Sequence, residues 1–351
     1  MKIGILTGGG DCPGLNAVIR AIVRKGTFHY EDEFTGFLEG WRGVMENLTR
    51  PLDLEAVKGI LPQGGTILRT SRTNPAKDNA GLDRCVENLK RNGIETLIAL
   101  GGDDTQSVSL KLHERGVKVI GVPKTIDNDL IGTDLCFGFD TAVSIATEAI
   151  DRVHTTAEAH NRVIVVEVMG RNAGWIAIYS GIAGGADVIL IPEKPFDIAE
   201  VAETLKRRHD RGRYFSIVVV AEGARLSNQV VEQERRKLDQ FGHTRLGGIG
   251  NLLAAELEKR TGFETRAVVL GHTQRGGTPT AFDRVLATRY GVAAITLAHE
   301  GRFGLMVALK GNEIRAVPIA EAVAGTRYVP AELVEVATAL SEYQPEGAYK
   351  G

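Results

Sequence analysis

The chain has 351 residues, enough for one large or two medium domains, each with its own core. Its 43% hydrophobic and 25% charged content is that of an ordinary globular protein. With 42 basic and 44 acidic side chains the formal net charge is -2, so no global pull toward nucleic acid or an anionic membrane is expected, and any anion site must be local.

The first run, "MKIGILTGGG", is too short in its apolar part to be a signal-peptide core, and no stretch reaches the ~20 apolar residues of a transmembrane helix. Cys12, Cys85 and Cys136 are odd in number, far apart and form no Cys-x-x-Cys, which fits a reducing cytoplasm rather than a disulfide scaffold. Short β-branched runs then recur along the chain. "KIGIL" leads into "TGGGDCPG" and a helical pattern, "TLIAL" into "GGDDT" and another, and "KVIGV" into "PKTIDND". The long pattern "DTAVSIATEAIDRVHTTAEAHN" follows, and a domain boundary is expected near Gly138. "RVIVVEV" leads into "MGRNAG"; "VILIP", "SIVVV" and "RAVVL" come next, the last two ending in "AEG" and "GHTQRGG". "LKRRHDRGR" reads as a solvated helix end, and residues 224–247 as a surface helix with flanking loops. Continuous apolar strands alternating with helices predict an α/β protein with parallel sheets covered on both faces. Ligands in such sheets sit at the carboxyl ends of strands, where the unusual polar clusters are expected to gather.

Those clusters suggest phosphate chemistry. Glycines in "TGGGDCPG" allow backbone N–H groups to approach an anion at a helix N-terminus, although the turn is neither G-x-G-x-x-G nor the Walker sequence G-x-x-x-x-G-K-S/T. In "GGDDT", Asp103 suits Mg²⁺, which takes one or two carboxylates and completes its shell with phosphate oxygens and water. Thr105 suits a helix cap, and Asp104 is open to the same reading, since acids are favoured at a helix start. In "PKTIDND", Pro123 argues against helix, so Lys124, Asp127 and Asp129 fall on an irregular segment just past a strand. One Asp there can act as general base and the other can orient it, the alternative being an Asx-rich turn. Arg162, Arg171, Glu222, Arg266, His272 and Arg275 add groups suited to gripping phosphate, though each arginine alone reads as a surface ion pair and His272 alone as a buried histidine.

Taken together, "GGGDCPGLNAVIR", "GGTILRTSR", "GGDDT", "PKTIDND", "VVEVMGR" and "GHTQRGG" resemble the phosphofructokinase family almost end to end, and within it the pyrophosphate-dependent branch of short bacterial type. The resemblance implies two Rossmann-like three-layer α/β/α lobes with mostly parallel sheets. Residues 1–137 plus about 252–300 would form a phosphoryl-donor and Mg²⁺ lobe, 138–251 plus about 301–325 a fructose 6-phosphate lobe, and 326–351 a C-terminal segment. It implies a cytoplasmic enzyme that reversibly transfers a phosphoryl group from pyrophosphate to the 1-hydroxyl of fructose 6-phosphate. Gly9, Gly10 and Arg72 would meet the donor, and Asp103 would bind Mg²⁺. Asp127 would be the base, with Thr125 and Asp129 positioning the hydroxyl. Met169, Gly170, Arg171, Glu222, His272 and Arg275 would hold the sugar phosphate. Arg162 and Arg266 would reach a neighbour's site, so a homodimer or homotetramer is implied. His154 stands where allosteric relatives place an arginine, which weakens any expectation of their effector control.

The departures from the ATP-using pattern bear on the donor. Those relatives carry glycine at Asp104 and, in many cases, at Lys124. A carboxylate at Asp104 would lie where ATP continues into its α-phosphate. Two unit charges ~4 Å apart repel by about 4 kcal/mol at an effective dielectric near 20. Pyrophosphate ends before that point. Lys124 would stabilise charge growing on the departing phosphate. An ATP-dependent enzyme with the same acceptor, a dinucleotide or lipid kinase, and a non-catalytic sugar-phosphate sensor are the alternatives.

Overall fold

The computed structural model describes residues 1–227, 237–238, 244–245 and 248–343. In chain order the elements are β1 (Lys2–Thr7), α1 (Leu15–Tyr30), β2 (Glu33–Phe37), α2 (Trp41–Glu46), β3 (Thr49–Leu52), α3 (Asn79–Arg91), β4 (Thr96–Gly101), α4 (Asp103–Glu114) and β5 (Val119–Pro123). There follow α5 (Phe139–His160), β6 (Val163–Val168), α6 (Trp175–Ala183), β7 (Val188–Leu190), α7 (Ile198–Asp210), β8 (Ser216–Ala221), β9 (Lys237–Leu238) and β10 (Thr244–Arg245). The last are α8 (Ile249–Thr261), β11 (Thr265–Val269), α9 (Ala281–His299), β12 (Leu305–Lys310), β13 (Glu313–Pro318), α10 (Ile319–Ala322) and α11 (Ala331–Ala339).

The chain divides into two compact units, one of Met1–Thr141 with Arg275–Thr326, the other of Ala142–Gln274 with Arg327–Gly351. In the first, seven strands form one sheet in the order β13-β12-β5-β4-β1-β2-β3. The five inner strands are parallel, and antiparallel β3 and β13 close its two edges. β1, β4 and β5 read as unbroken apolar runs because helices cover both faces. Leu6, Leu97, Ala99 and Met306 point to one face, where they pack with Val44, Leu89 and Leu112 of α2, α3 and α4. α1 and α9 pack together on the other face. Full burial of each such aliphatic side chain contributes about 1.5–3 kcal/mol.

The second unit has four parallel strands in the order β11-β6-β8-β7. Val163, Val165, Val218 and Val220 face α7 and α8, meeting Val201, Leu205, Leu253 and Leu257. α6 packs against β7 and β8.

These boundaries differ from the expected ones for reasons of strand pairing. Residues 252–274 join the second unit because β11 pairs with β6, Arg266 opposite Ile164 and Val268 opposite Val166. Residues 301–325 join the first because β12 pairs with β5, Leu305 opposite Ile120. The C-terminal segment does not stand apart: Val329 N–H donates to Glu193 and the Trp175 indole N–H to the Arg327 carbonyl, both within the second unit. Most of 224–247, expected as a surface helix, lies outside the described residues; what is described includes the antiparallel pair β9–β10. The basic run after Leu205 does end a helix, but Arg208 is only 14% exposed and pairs with Asp187, so it is not simply a solvated end.

The junction of α5 and α9 in the first unit yields a stability prediction. Asp283 is fully buried and accepts hydrogen bonds from Thr141 N–H at 2.8 Å and from the Thr141 hydroxyl. Burial pushes its carboxyl from 3.8 up to about 6, against the pull of the Thr141 bonds. A raised acid binds its proton more tightly when folded, so its contribution is full below the unfolded value and is lost as pH rises through the folded one. The melting temperature of the parent should therefore fall relative to Asp283→Asn as pH climbs from 3.8 to about 6. Parallel melting curves across that window would refute the assignment.

Candidate active site

The first unit carries the residues expected to meet a donor. Gly8 N–H donates to Leu100 O at 2.9 Å, which joins the turn after β1 to β4. Gly9 has φ 77°, a conformation glycine adopts without strain. A Cβ on Gly10 would lie 2.7 Å from the Arg275 guanidinium, which packs close against this glycine; Arg275 also donates to Asp11 O at 3.3 Å. Beneath the turn, the buried Lys124 donates from Nζ to Gly10 O at 2.6 Å. Burial pulls its ammonium below the ordinary lysine range, helped by the charge of Arg275 and opposed by Asp127 and Asp103. Arg72 is exposed on the segment after Leu68, and Thr70 ties that segment to the turn by donating to Gly9 O at 2.5 Å.

Asp103 and Asp104 form the first turn of α4, which Gly102 opens without a side-chain cap. Asp103 is exposed and Asp104 half-buried. Thr105, expected as a cap, is instead buried inside α4, where its side chain wedges between two glycine turns. A Cβ on Gly8 would lie 2.5 Å from its Oγ1, and one on Gly101 would collide with it as well. Gln106 Nε2 lies within bonding distance of Ala99 O, Gly101 O and Val122 O, joining the carboxyl ends of β4 and β5.

Past β5, Asp127 N–H donates to Thr125 Oγ1 at 3.0 Å, while Asp127 Oδ1 is buried and accepts no hydrogen bond. Burial pushes the Asp129 carboxyl well above the ordinary range, the charges of Asp127 and Asp103 push the same way, and a hydrogen bond from Thr125 opposes them. Three carboxylates that feel one another, one with an orphaned oxygen, fit a site that receives a cation and a hydroxyl. Among the described residues no cluster of three or more His, Cys, Asp or Glu forms a ready-made metal cage.

The second unit gathers five of the six expected sugar-phosphate residues at the carboxyl ends of three adjacent strands, while the sixth, Arg275, falls in the first unit against Gly10 and Asp11. Met169, Gly170 and Arg171 follow β6, Glu222 follows β8, and His272 follows β11. Gly170 has φ 134°, and its carbonyl accepts from Gly223 N–H at 3.0 Å. Met169 N–H donates to the buried Gln274 Oε1 at 3.3 Å. His272 is exposed, not the buried histidine it resembles in isolation.

Arg162 and Arg266 do not join this group. They sit at the amino ends of β6 and β11, a strand length of about 17–20 Å from the carboxyl ends. There they share Glu264, each at 2.7 Å, and Arg266 also meets Glu258 at 3.2 Å. The expectation that every polar cluster lies at the carboxyl ends therefore fails for these two. Sequence reasoning missed Thr70, Thr105's wedge, Gln106 and Gln274; only the buried glutamines, unusual as partners of backbone in apolar surroundings, left any trace to find.

A family model described as Phosphofructokinase matches residues 2–298. The chain belongs to the phosphofructokinase family. A Streptomyces coelicolor relative named pyrophosphate–fructose 6-phosphate 1-phosphotransferase is 60% identical over 338 residues, covering 95% of this chain and 98% of its own. A Corynebacterium efficiens relative named ATP-dependent 6-phosphofructokinase is 52% identical, covering 95% and 96%. Of solved structures, Pichia pastoris phosphofructokinase in the T-state matches with a TM-score of 0.81 at 32% identity, covering 97% of this chain; the match spans only 36% of that longer chain. The family fold thus agrees with the two parallel-dominated sheets described above.

Proposed function

We propose that this phosphofructokinase transfers a phosphoryl group from pyrophosphate to the 1-hydroxyl of fructose 6-phosphate, giving fructose 1,6-bisphosphate and phosphate, reversibly and with Mg²⁺. The observation that carries the donor is the presence of two features at once, a second acid, Asp104, in the first turn of α4 and a buried Lys124 under Gly10. The name of the 60% identical relative supports the same reading. In this reading Gly9, Gly10 and Arg72 meet the pyrophosphate, and Lys124 stabilises the departing phosphate. Asp103 holds Mg²⁺, which when bound neutralises phosphate oxygens and aligns them for in-line attack. The orphaned Oδ1 of Asp127 takes the proton of the sugar hydroxyl, with Thr125 and Asp129 orienting it. Met169, Gly170, Arg171, Glu222, His272 and Arg275 hold fructose 6-phosphate.

Arg162 and Arg266, set at the opposite strand ends, serve a neighbouring subunit's sugar phosphate, so the working enzyme is a homodimer or homotetramer. Three buried free thiols, two of them pushed up by burial, suit a reducing cytoplasm, where the reaction would run in glycolysis and gluconeogenesis. No helix among the described residues is long and apolar enough to cross a membrane.

The second reading, ATP as donor with the same acceptor, is favoured by the 52% identical relative's name. Turnover of fructose 6-phosphate with Mg²⁺ and either pyrophosphate or ATP separates them. Pyrophosphate should win by about two to three decades in kcat/KM, the scale of the Asp104 repulsion. Equal or better turnover with ATP would replace the first reading by the second.

A further inference from the structure

Glu193 plays no part in the chemistry above, yet it is fully buried just past β7. Its two carboxylate oxygens lie 3.0 and 3.1 Å from Gly174 N, and Oε1 also accepts from Val329 N–H at 3.1 Å. Gly174 ends the loop that begins with Met169, Gly170 and Arg171, and it opens α6. The loop's other end is held by Gln274 and Gly223, as described above. A Cβ on Gly174 would collide with Ile191, so this backbone has little room to move. Val329 belongs to a strap whose Arg327 carbonyl accepts the Trp175 indole N–H at 2.9 Å, with the Arg327 guanidinium 4.1 Å from the indole centroid. Two consecutive residues, Gly174 and Trp175, are thus gripped by a carboxylate and by the strap.

A buried carboxylate is costly unless hydrogen-bonded, and a space-filling role needs no charge. The donors that reach this one are backbone N–H groups: Gly174 at a helix start, Val329 in a strap, and that of Glu193 itself. A negative group facing the N-terminus of α6 is also favoured by the helix dipole.

We propose that Glu193 is a positioning residue for the sugar-phosphate loop, fixing Gly174 and through it Met169, Gly170 and Arg171, and that the strap from Arg327 to Val329 is fastened to the loop by the same carboxylate. The proposal rests on the reading that this loop holds fructose 6-phosphate. Gly9, Lys124 and Asp103 belong to the other unit, so the effect should fall on the sugar alone.

The test compares the parent with Glu193→Gln, which keeps the shape but loses one acceptor, and with Trp175→Phe, which removes the indole N–H together with one ring of the buried side chain that faces Arg327. Glu193→Gln should raise KM for fructose 6-phosphate about 5–10-fold, the scale of one ordinary hydrogen bond, with kcat and KM for pyrophosphate within about twofold. Trp175→Phe should raise the same KM about 2–3-fold. Amide hydrogen exchange in the peptide spanning 169–177 should quicken in both. If KM for the sugar stays within twofold and exchange is unchanged, or if both KM values and kcat shift together, the positioning role is overturned. Should Glu193→Gln not fold, the Trp175→Phe measurements decide. A parent that neither turns over nor is thermally shifted by fructose 6-phosphate would sink the functional reading instead, and the exchange rates would still judge the fastening of the loop.

Discussion

Asp127→Asn should lower kcat by about 10²–10⁴-fold while leaving KM for fructose 6-phosphate close to the parent value. The substitution keeps volume and removes basicity. Asp127 Oδ1 is buried and accepts no hydrogen bond, so an amide there breaks no existing contact of that atom. It also relieves Asp129 of a neighbouring charge that now raises its pKa. The folded state should therefore be at least as stable as the parent, which separates lost catalysis from lost structure. Steady-state assays in both directions, with melting curves, check this. A kcat within tenfold of the parent would remove Asp127 from the role of base.

The second large effect concerns Asp104→Gly. Removing the half-buried carboxylate should raise kcat/KM for ATP by up to about 10³-fold, from ~4 kcal/mol of relieved repulsion. Pyrophosphate use should weaken. Stability should drop slightly, since glycine in a helix costs about 1 kcal/mol relative to alanine and the first turn of α4 loses an acid favoured by the dipole. The ratio of kcat/KM for the two donors is the readout; an unchanged ratio would mean that Asp104 does not choose the donor.

The inner strands β1, β4, β5, β6 and β8 were legible because apolar residues dominate them, with the buried Glu167 interrupting only β6, the mark of a strand buried on both faces. β3 and β13 were not, because edge strands have a solvated side: β3 contains Pro51, and β13 alternates exposed residues with half-buried or buried ones. The unit boundaries escaped for another reason. Which of two sheets β11 or β12 joins depends on pairing with β6 or β5, far away in sequence, and local composition does not encode it. The site was legible as motifs, since glycines and acids beside strand ends have few structural reasons to cluster. Arg162 and Arg266 show the limit: residue type suggested phosphate, but a position at the amino end rather than the carboxyl end is decided by where the strand starts. Thr105 shows it too, because a threonine after two acids looks like a cap until the neighbouring glycine turns are seen to need its bulk elsewhere.

The pairing of β12 with β5 has a consequence for synthesis on the ribosome. Ile120 is made early, but its partner Leu305 emerges about 185 residues later. At roughly 5–20 residues per second, the apolar flank of β5 waits about 10–40 s for its neighbour. During that interval the nascent chain offers an unpaired strand to other chains, so slow translation or truncation before Leu305 should favour aggregation, and a holding chaperone should matter most in that window.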